Sequence, residues 1–493
     1  MRVVRRLIDE NRLFSTALGA GALLRLVAML GYPGALWFSG DSYVYLGAAL
    51  RPRPDLSKTT GYSFFLRALE PLHSLTLVIG VQHLMGLGIA VMVYALARRA
   101  GVSERWSVAA TLPVLLDGFQ IEDEHMVMAE TLFTFLIVLA MLLILWNIRV
   151  RWPVALLAGI LAGYAVIVRS EGLPVLVLFP LALALRDGDN SKRRLWRWHK
   201  QWRQWAAAGL MAAGCAMPVL AYAGWFHHVN HTYGLTRSDG FYLWGRASSF
   251  ADCAVIRPPA GEARVCPSGV PSKRQPPGSY IWHAPMVHDL PGGPVSSAND
   301  TLLRNFAILA VERQPFAYMG AVFKGLALSV EWPRKKYPSA GTVSDYLFHL
   351  KTQVVPASHS WIPGGTAYAD AVRYGGATPS RVIKPFAYPV AGYERLFYTY
   401  GPLFGLIMVT GAWGVWRRRG SGPGWSALPW VTAVVLLVFP IAIADFDYRY
   451  LLPVLPFAGL AAALAFAPAA KLAAKLEGCP KVPEPVESSL SKG

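Results

Sequence analysis

Ten apolar runs recur along the chain, at 13–32, 75–97, 106–118, 126–146, 153–168, 173–185, 205–225, 398–416, 428–444 and 451–467. Short polar segments separate them, so each is read as a membrane-crossing helix. Between the seventh and eighth runs lies a long stretch rich in Pro, Gly, Ser and Tyr that contains no convincing crossing. Within it, 301–328 keeps helical apolar spacing broken at Pro315, which predicts two helices lying on the membrane surface. The alternative is a buried span over 316–330, against which Lys324 and the short length count. The remainder, 240–297 and 331–389, reads as ordered loop with little regular structure.

Charge orients these elements. Arg2, Arg5, Arg6 and Arg12 precede the first run, Arg98 and Arg99 follow the second, and Arg149 and Arg151 follow the fourth. Lys192, Arg193, Arg194, Arg197, Lys200 and Arg203 precede the seventh, Arg417, Arg418 and Arg419 follow the eighth, and Lys471 and Lys475 follow the last. Ten crossings put every cluster on one side, which predicts that both termini are cytoplasmic and the 227–397 region extracytoplasmic. The first run resembles a signal sequence but lacks a small-residue cleavage site, so it is read as an uncleaved helix. The expected organisation is a transmembrane module at 1–226, an extracytoplasmic region at 227–397, transmembrane helices at 398–470 and a cytoplasmic tail at 471–493. The fold class is thus an all-α polytopic membrane protein of a multi-pass cell-membrane type.

Composition agrees, with 54% hydrophobic and 15% charged residues and a mean hydropathy of +0.36. The net charge of +18 does not indicate nucleic acid, because the basic residues gather beside apolar runs. Four cysteines without a CxxC exclude a metal ribbon. Cys253 and Cys266, alone in the large loop, form a disulfide if that loop faces an oxidising compartment and are free thiols otherwise.

Acid is scarce, at 29 Asp and Glu against 47 Lys and Arg, so its placement is informative. FQIEDEHMVMAETLFTF brings Glu122, Asp123, Glu124, His125 and Glu130 to the mouth of an apolar segment in the second outer loop. Charge near a bilayer is costly and usually marks chemistry or a polar cavity. In the first outer loop, WFSGDSYVYL holds Asp41 among aromatics, where it reads either as a helix cap or as a desolvated general base. Lys58, in KTTGY before FFL, suits a lipid phosphate or is a snorkelling lysine. Arg169 and Glu171 read as an ion pair, and Arg25 lies near the outer end of its span. Glu122 and Asp123 are expected to be solvated. His227, His228 and His231 read as surface residues rather than metal ligands. There is no GxSxG, HExxH or Walker loop.

These residues resemble the GT-C glycosyltransferases that use polyprenyl-phosphate sugars, in the group of protein mannosyltransferases and lipid A aminoarabinose transferases. The resemblance rests on GDSYVYL with Asp41, on KTTGYSFFL, on EHMVMAETLFTFL, and on YRYLLPVLP with Arg449. It implies a GT-C-like bundle and an inverting transfer in which Asp41 takes the proton of an acceptor hydroxyl while a lipid phosphate leaves. Glu124, with His125 and Glu130 beside it, would orient the sugar, the acceptor or a divalent cation, so Glu124 is the candidate metal ligand. Lys58, Tyr62 and Arg449 would bind substrate, although the family's Lys-Pro-Pro pattern is here Lys-Thr-Thr. The implied partners are a polyprenyl-phosphate-linked sugar, an extracytoplasmic lipid, glycan or protein acceptor, and the bilayer. The rival reading is a transporter or flippase of lipid-linked sugars, which predicts charges spread at mid-membrane depth. A non-catalytic scaffold would tolerate loss of Asp41.

Overall fold

The computed structural model describes residues 11–147, 150–185, 194–357, 362–375, 381–417 and 427–468. Arg2, Arg5, Arg6, Arg149, Lys192, Arg193, Arg418, Arg419, Lys471 and Lys475, and with them the 471–493 tail, lie outside the described residues. Helices make up the architecture, and among the described residues the one extended pairing is a parallel bridge between Leu36 and Met126.

The N-terminal half comprises α1 (Arg12–Gly31), α2 (Asp41–Leu50), α3 (Gly61–Leu69), α4 (Leu75–Arg99), α5 (Gly118–His125), α6 (Glu130–Trp146), α7 (Trp152–Val168), α8 (Val175–Ala184) and α9 (Arg194–Asn230). In α1, Gly21, Arg25 and Ala28 turn inward while Leu23, Leu26 and Leu30 stay exposed. An apolar outer face of that kind suits hydrocarbon. Helix α4 starts at Ser74, whose side chain accepts from the Leu77 N–H, and it ends on Arg98 and Arg99, which complement the helix dipole. Gly159 and Gly163 of α7 lie against the backbone carbonyls of Met211 and Cys215 in α9. A Cβ at either position would meet those carbonyls, so small residues set the α7–α9 approach.

Three of the described helices, Arg12–Gly31, Leu75–Arg99 and the Trp202–Asn230 part of α9, are long and apolar enough to cross a membrane. A fourth results if the bent pair α13 (Lys384–Leu396) and α14 (Gly401–Arg417), which meet at 59°, counts as one span. Apolar helices of 10–17 residues occupy the remaining predicted positions except 106–118, among them α6, α7, α15 (Ala427–Ile443) and the Tyr448–Leu464 stretch that ends in α16 (Leu455–Leu464). Two predicted runs change shape. The 106–118 run breaks into Glu104–Ala109 and Leu112–Leu116, with Pro113 in the first turn of the second. The 126–146 run becomes helical only at Glu130, because the Val127 N–H is donated to the Leu36 carbonyl.

The 227–397 region is more regular than the loop expected from its composition. Helices α10 (Asp239–Ser248), α11 (Ser297–Arg313) and α12 (Pro315–Leu328) frame it, and α11 stops at Gln314 because Pro315 opens the next helix. Phe241, Trp244, Phe250, Ile281, Leu303 and Phe306 form its own core. Cys253 and Cys266 are joined by a disulfide across that core's edge, with Cα atoms 6.4 Å apart. Short helices interrupt the rest, so this small separate core, rather than the loops, is what orders the region.

Candidate functional site

Asp41 is the first residue of α2, and the preceding Gly40, at φ 91°, holds a left-handed conformation that favours glycine. Gly40 is thus the N-cap and Asp41 the first helical residue, which corrects the cap reading. Instead the carboxylate contacts two cations. Lys58 Nζ donates to Oδ1, and Arg449 Nη1 donates to Oδ2 at 2.6 Å. The two cations are aimed by local turns. Asp55 Oδ1 accepts from the backbone of Ser57 at 2.8 Å and of Lys58 at 3.0 Å, closing an Asx turn that points Lys58 back at α2. Asp447 Oδ1 accepts from the Arg449 N–H at 3.2 Å, and Tyr346 donates its hydroxyl to the other oxygen at 2.9 Å.

Glu130 and Arg169 lie deeper, whereas Glu171 is the most open of the group at 26% side-chain exposure. Glu130 opens α6 and meets Arg169, which also donates to Glu171 at 2.9 Å; Arg449 Nη1 is 3.6 Å from Glu130 and Arg449 Nε is 3.4 Å from Asp447. Lys58, Arg169 and Arg449 thus face Asp41, Glu130, Glu171 and Asp447 at the ends of α2, α6, α7 and the turn before α16. Asp41, Lys58 and Arg449 keep side-chain exposures of 10–16%, whereas Glu130 is at 1%. The first three are therefore the rim and Glu130 the floor. Phe38 and Tyr450 lie over the Arg449 guanidinium at 5.1 and 5.6 Å. Burial, and after it the neighbouring Arg449 and Arg169 cations, pulls the Lys58 ammonium down to about 7. Beside Arg169 and Glu171, a small cleft of about 10 Å³ is lined by Phe133, Leu436, Pro440 and Tyr450.

Glu124 and His125 belong to a different, fully enclosed network. Arg25 Nε and Nη2 each donate to Glu124 at 2.7 Å, and His83 Nδ1 lies 2.9 Å from the same carboxylate. His83 Nε2 lies 3.0 Å from His125 Nδ1, and His125 Nε2 donates to the Tyr32 carbonyl at 2.8 Å. Since a carbonyl only accepts, three hydrogen bonds along this line need three protons on two imidazoles unless Glu124 supplies one. Burial raises the Glu124 carboxyl, but Arg25 and His83 more than offset it and hold it below the ordinary range, while burial pulls the His125 imidazole down to about 3. Both Glu124 oxygens are engaged by Arg25, which corrects the expectation of an available metal ligand. Among the described residues no group of three or more His, Cys, Asp or Glu is placed to hold a metal ion.

Other expectations are also corrected. Glu122 and Asp123 are not solvated: both are buried, Glu122 completely. Burial, then Glu394 for Glu122 and Glu130 for Asp123, pushes both carboxyls well above the ordinary range, favouring their neutral forms. Tyr62 is fully buried and donates to Gln82 Oε1 at 2.5 Å, so it supports the α3–α4 packing rather than a substrate surface. His227 is partly covered, stacked on Tyr233 at 3.9 Å, and His228 and His231 are exposed. Sequence reasoning missed Asp447, Tyr346 and His83 as partners. For His83 a signal existed, a histidine inside an apolar run.

A model of the dolichyl-phosphate-mannose-protein mannosyltransferase family matches residues 80–233. Among curated proteins none matches. The crystal structure of the Archaeoglobus fulgidus oligosaccharyltransferase in the apo form is similar at 13% identity and a TM-score of 0.41, covering 91% of this chain and 50% of that one. The same organism's enzyme in complex with an inhibitory peptide and a dolichol-phosphate gives 12% identity, a TM-score of 0.39 and the same coverage. The chain therefore spans about half the length of the solved structures it matches. Asp41, Lys58 and Arg449 fall outside the segment that the family model covers, while Glu124, His125, Glu130 and Arg169 fall inside it. Residues 80–233 thus match the dolichyl-phosphate-mannose-protein mannosyltransferase family, in the group of GT-C enzymes that the motifs of this chain resemble.

Proposed function

We propose that the chain is an integral membrane glycosyltransferase that moves a sugar from a polyprenyl-phosphate carrier to an extracytoplasmic acceptor. The observation that carries this reading is the rim where one carboxylate, Asp41, and two cations, Lys58 and Arg449, meet above Glu130. Transfer needs those groups. The acceptor O–H gives its proton to Asp41 as its oxygen forms the bond to sugar C1. The C1–O bond to phosphate breaks on the opposite face, inverting the centre, and the electron pair stays on the phosphate oxygen. Lys58 and Arg449 then stabilise the leaving polyprenyl phosphate, Arg449 through a planar fork suited to that group. Glu130 Oε2 and Asp123 Oδ1 are buried without a hydrogen-bond partner and are suited to accept sugar hydroxyls. The family description makes polyprenyl-phosphate mannose the first donor to try.

The test is release of labelled sugar from that donor in proteoliposomes supplied with a membrane extract as acceptor source. Asp41→Asn is expected to cut transfer by roughly 10²- to 10⁴-fold, the usual contribution of a general base. Near-normal turnover in a folded Asp41→Asn chain removes Asp41 as the base. Movement of intact lipid-linked sugar across the bilayer without cleavage would favour transport.

A further inference from the structure

Asp41 holds the same two cations that the donor phosphate would need. Lys58 Nζ and Arg449 Nη1 each contact a different Asp41 oxygen, a bridged arrangement that a phosphodiester's two unesterified oxygens reproduce. A carboxylate held between two cations is a weak base, because both interactions favour its ionised form. The layer below offers no spare positive charge: Arg169 is already engaged by Glu130 and Glu171, and Arg449 is also close to Glu130 and Asp447. Four carboxylates thus face three cations in this cluster before any donor arrives. Arg449 Nε, buried and without a hydrogen-bond partner, is a further donor aimed within the cluster.

We propose that Asp41 occupies, in the free chain, the anion position that the donor phosphate takes in the loaded chain, so that donor binding itself frees the base. This rests on the glycosyltransferase reading and adds to it an exchange: phosphate onto Lys58 and Arg449, Asp41 off them and onto the acceptor hydroxyl. The chain then has an effective base only when a leaving group is in place, which protects the site from idle proton transfer. The rim position of Asp41, Lys58 and Arg449 leaves room for that exchange, whereas Glu130 on the floor stays with Arg169.

The exchange makes a prediction of unusual sign. Full-length chain in nanodiscs is titrated with a polyprenyl monophosphate in the presence of EDTA, with folding followed by thermal melting. Asp41→Asn is expected to bind at least about tenfold more tightly than wild type while losing transfer, and Asp41→Glu to bind as weakly as wild type. Asp41→Ser replaces Asp41→Asn should the latter not fold. Equal or weaker binding by the neutral variants, with wild-type binding still lost in Lys58→Ala and Arg449→Ala, overturns the exchange and leaves the site reading standing. Binding no stronger than to phosphatidylcholine nanodiscs without protein, in every chain, overturns the site reading and the exchange together.

Discussion

The Arg25–Glu124 pair gives a measurable energy. Arg25 is 2% exposed and Glu124 not at all, and the guanidinium makes two 2.7 Å bonds to the carboxylate. Changing Glu124 to Gln leaves a buried cation facing a neutral amide, a change that typically costs about 3 to 5 kcal/mol. The guanidinium retains bonds to the carbonyls of Gly21 at 3.1 Å, Leu115 at 2.9 Å and Val114 at 3.0 Å, so the lower end, about 3 kcal/mol, is expected. At about 2 °C per kcal/mol, the slope for a domain of roughly 250 residues, the melting midpoint falls by about 6 °C. Arg25→Met leaves Glu124 buried without its cation and is expected to cost as much. The double variant Arg25→Met with Glu124→Leu removes both charges and should recover most of the loss, since apolar replacement of a buried pair is often neutral. Melting of wild type, Arg25→Met, Glu124→Leu and the double variant in one detergent closes a double-mutant cycle that reads the coupling. Additive losses, or single variants within about 1 °C of wild type, would refute the claim that this pair anchors α1 to α5.

Three further outcomes are expected. A methyl at Gly86 would meet the Glu124 carboxylate, so Gly86→Ala should mimic Glu124→Gln in the same melt, whereas Gly80→Ala, with Met29 Cε the nearest atom at 3.5 Å, should be neutral. Lys58, pulled down to about 7, is charged below that pH and neutral above it, so affinity for polyprenyl monophosphate should weaken as pH rises through about 7. Lys58→Arg, charged throughout, should lack this limb, and identical pH profiles for the two chains would contradict the assignment. The Cys253–Cys266 bridge has a sequence separation of 13, for which chain entropy gives about 3 kcal/mol, so reductant should lower the melting of the core that it joins. Thiol labelling of both cysteines without reductant would disprove the bridge.

Much of the scaffold is legible in the pattern of apolar runs, because a helix in lipid must satisfy its own backbone and so advertises itself in composition. Helix ends were less legible. Met126 to Ala129 are apolar yet stay out of the helix, with Met126 extended in its pairing with Leu36, and no local signal encodes a partner 90 residues away. The site shows the same division. Scarcity marked Asp41, Glu124 and Glu130, but which acid meets which cation is a long-range fact, as with Arg449 and Asp41 at a separation of 408 residues. Exposure was the property misjudged for Glu122 and Asp123: charge suggested solvent, and burial instead favours the neutral acid.

The Leu36 N–H donates to the His125 carbonyl at 2.9 Å, and the Val127 N–H returns a bond to Leu36 at 3.1 Å. With His125 also fastened to the Tyr32 carbonyl, the segments that carry Asp41 and Glu130 are laced together at their bases. Exchanging one of them with a relative's version would strand its partner's backbone groups in the interior. Grafts meant to alter substrate choice therefore have to carry 32–41 and 118–130 as one cassette, and the pair is the smallest portable unit of this surface.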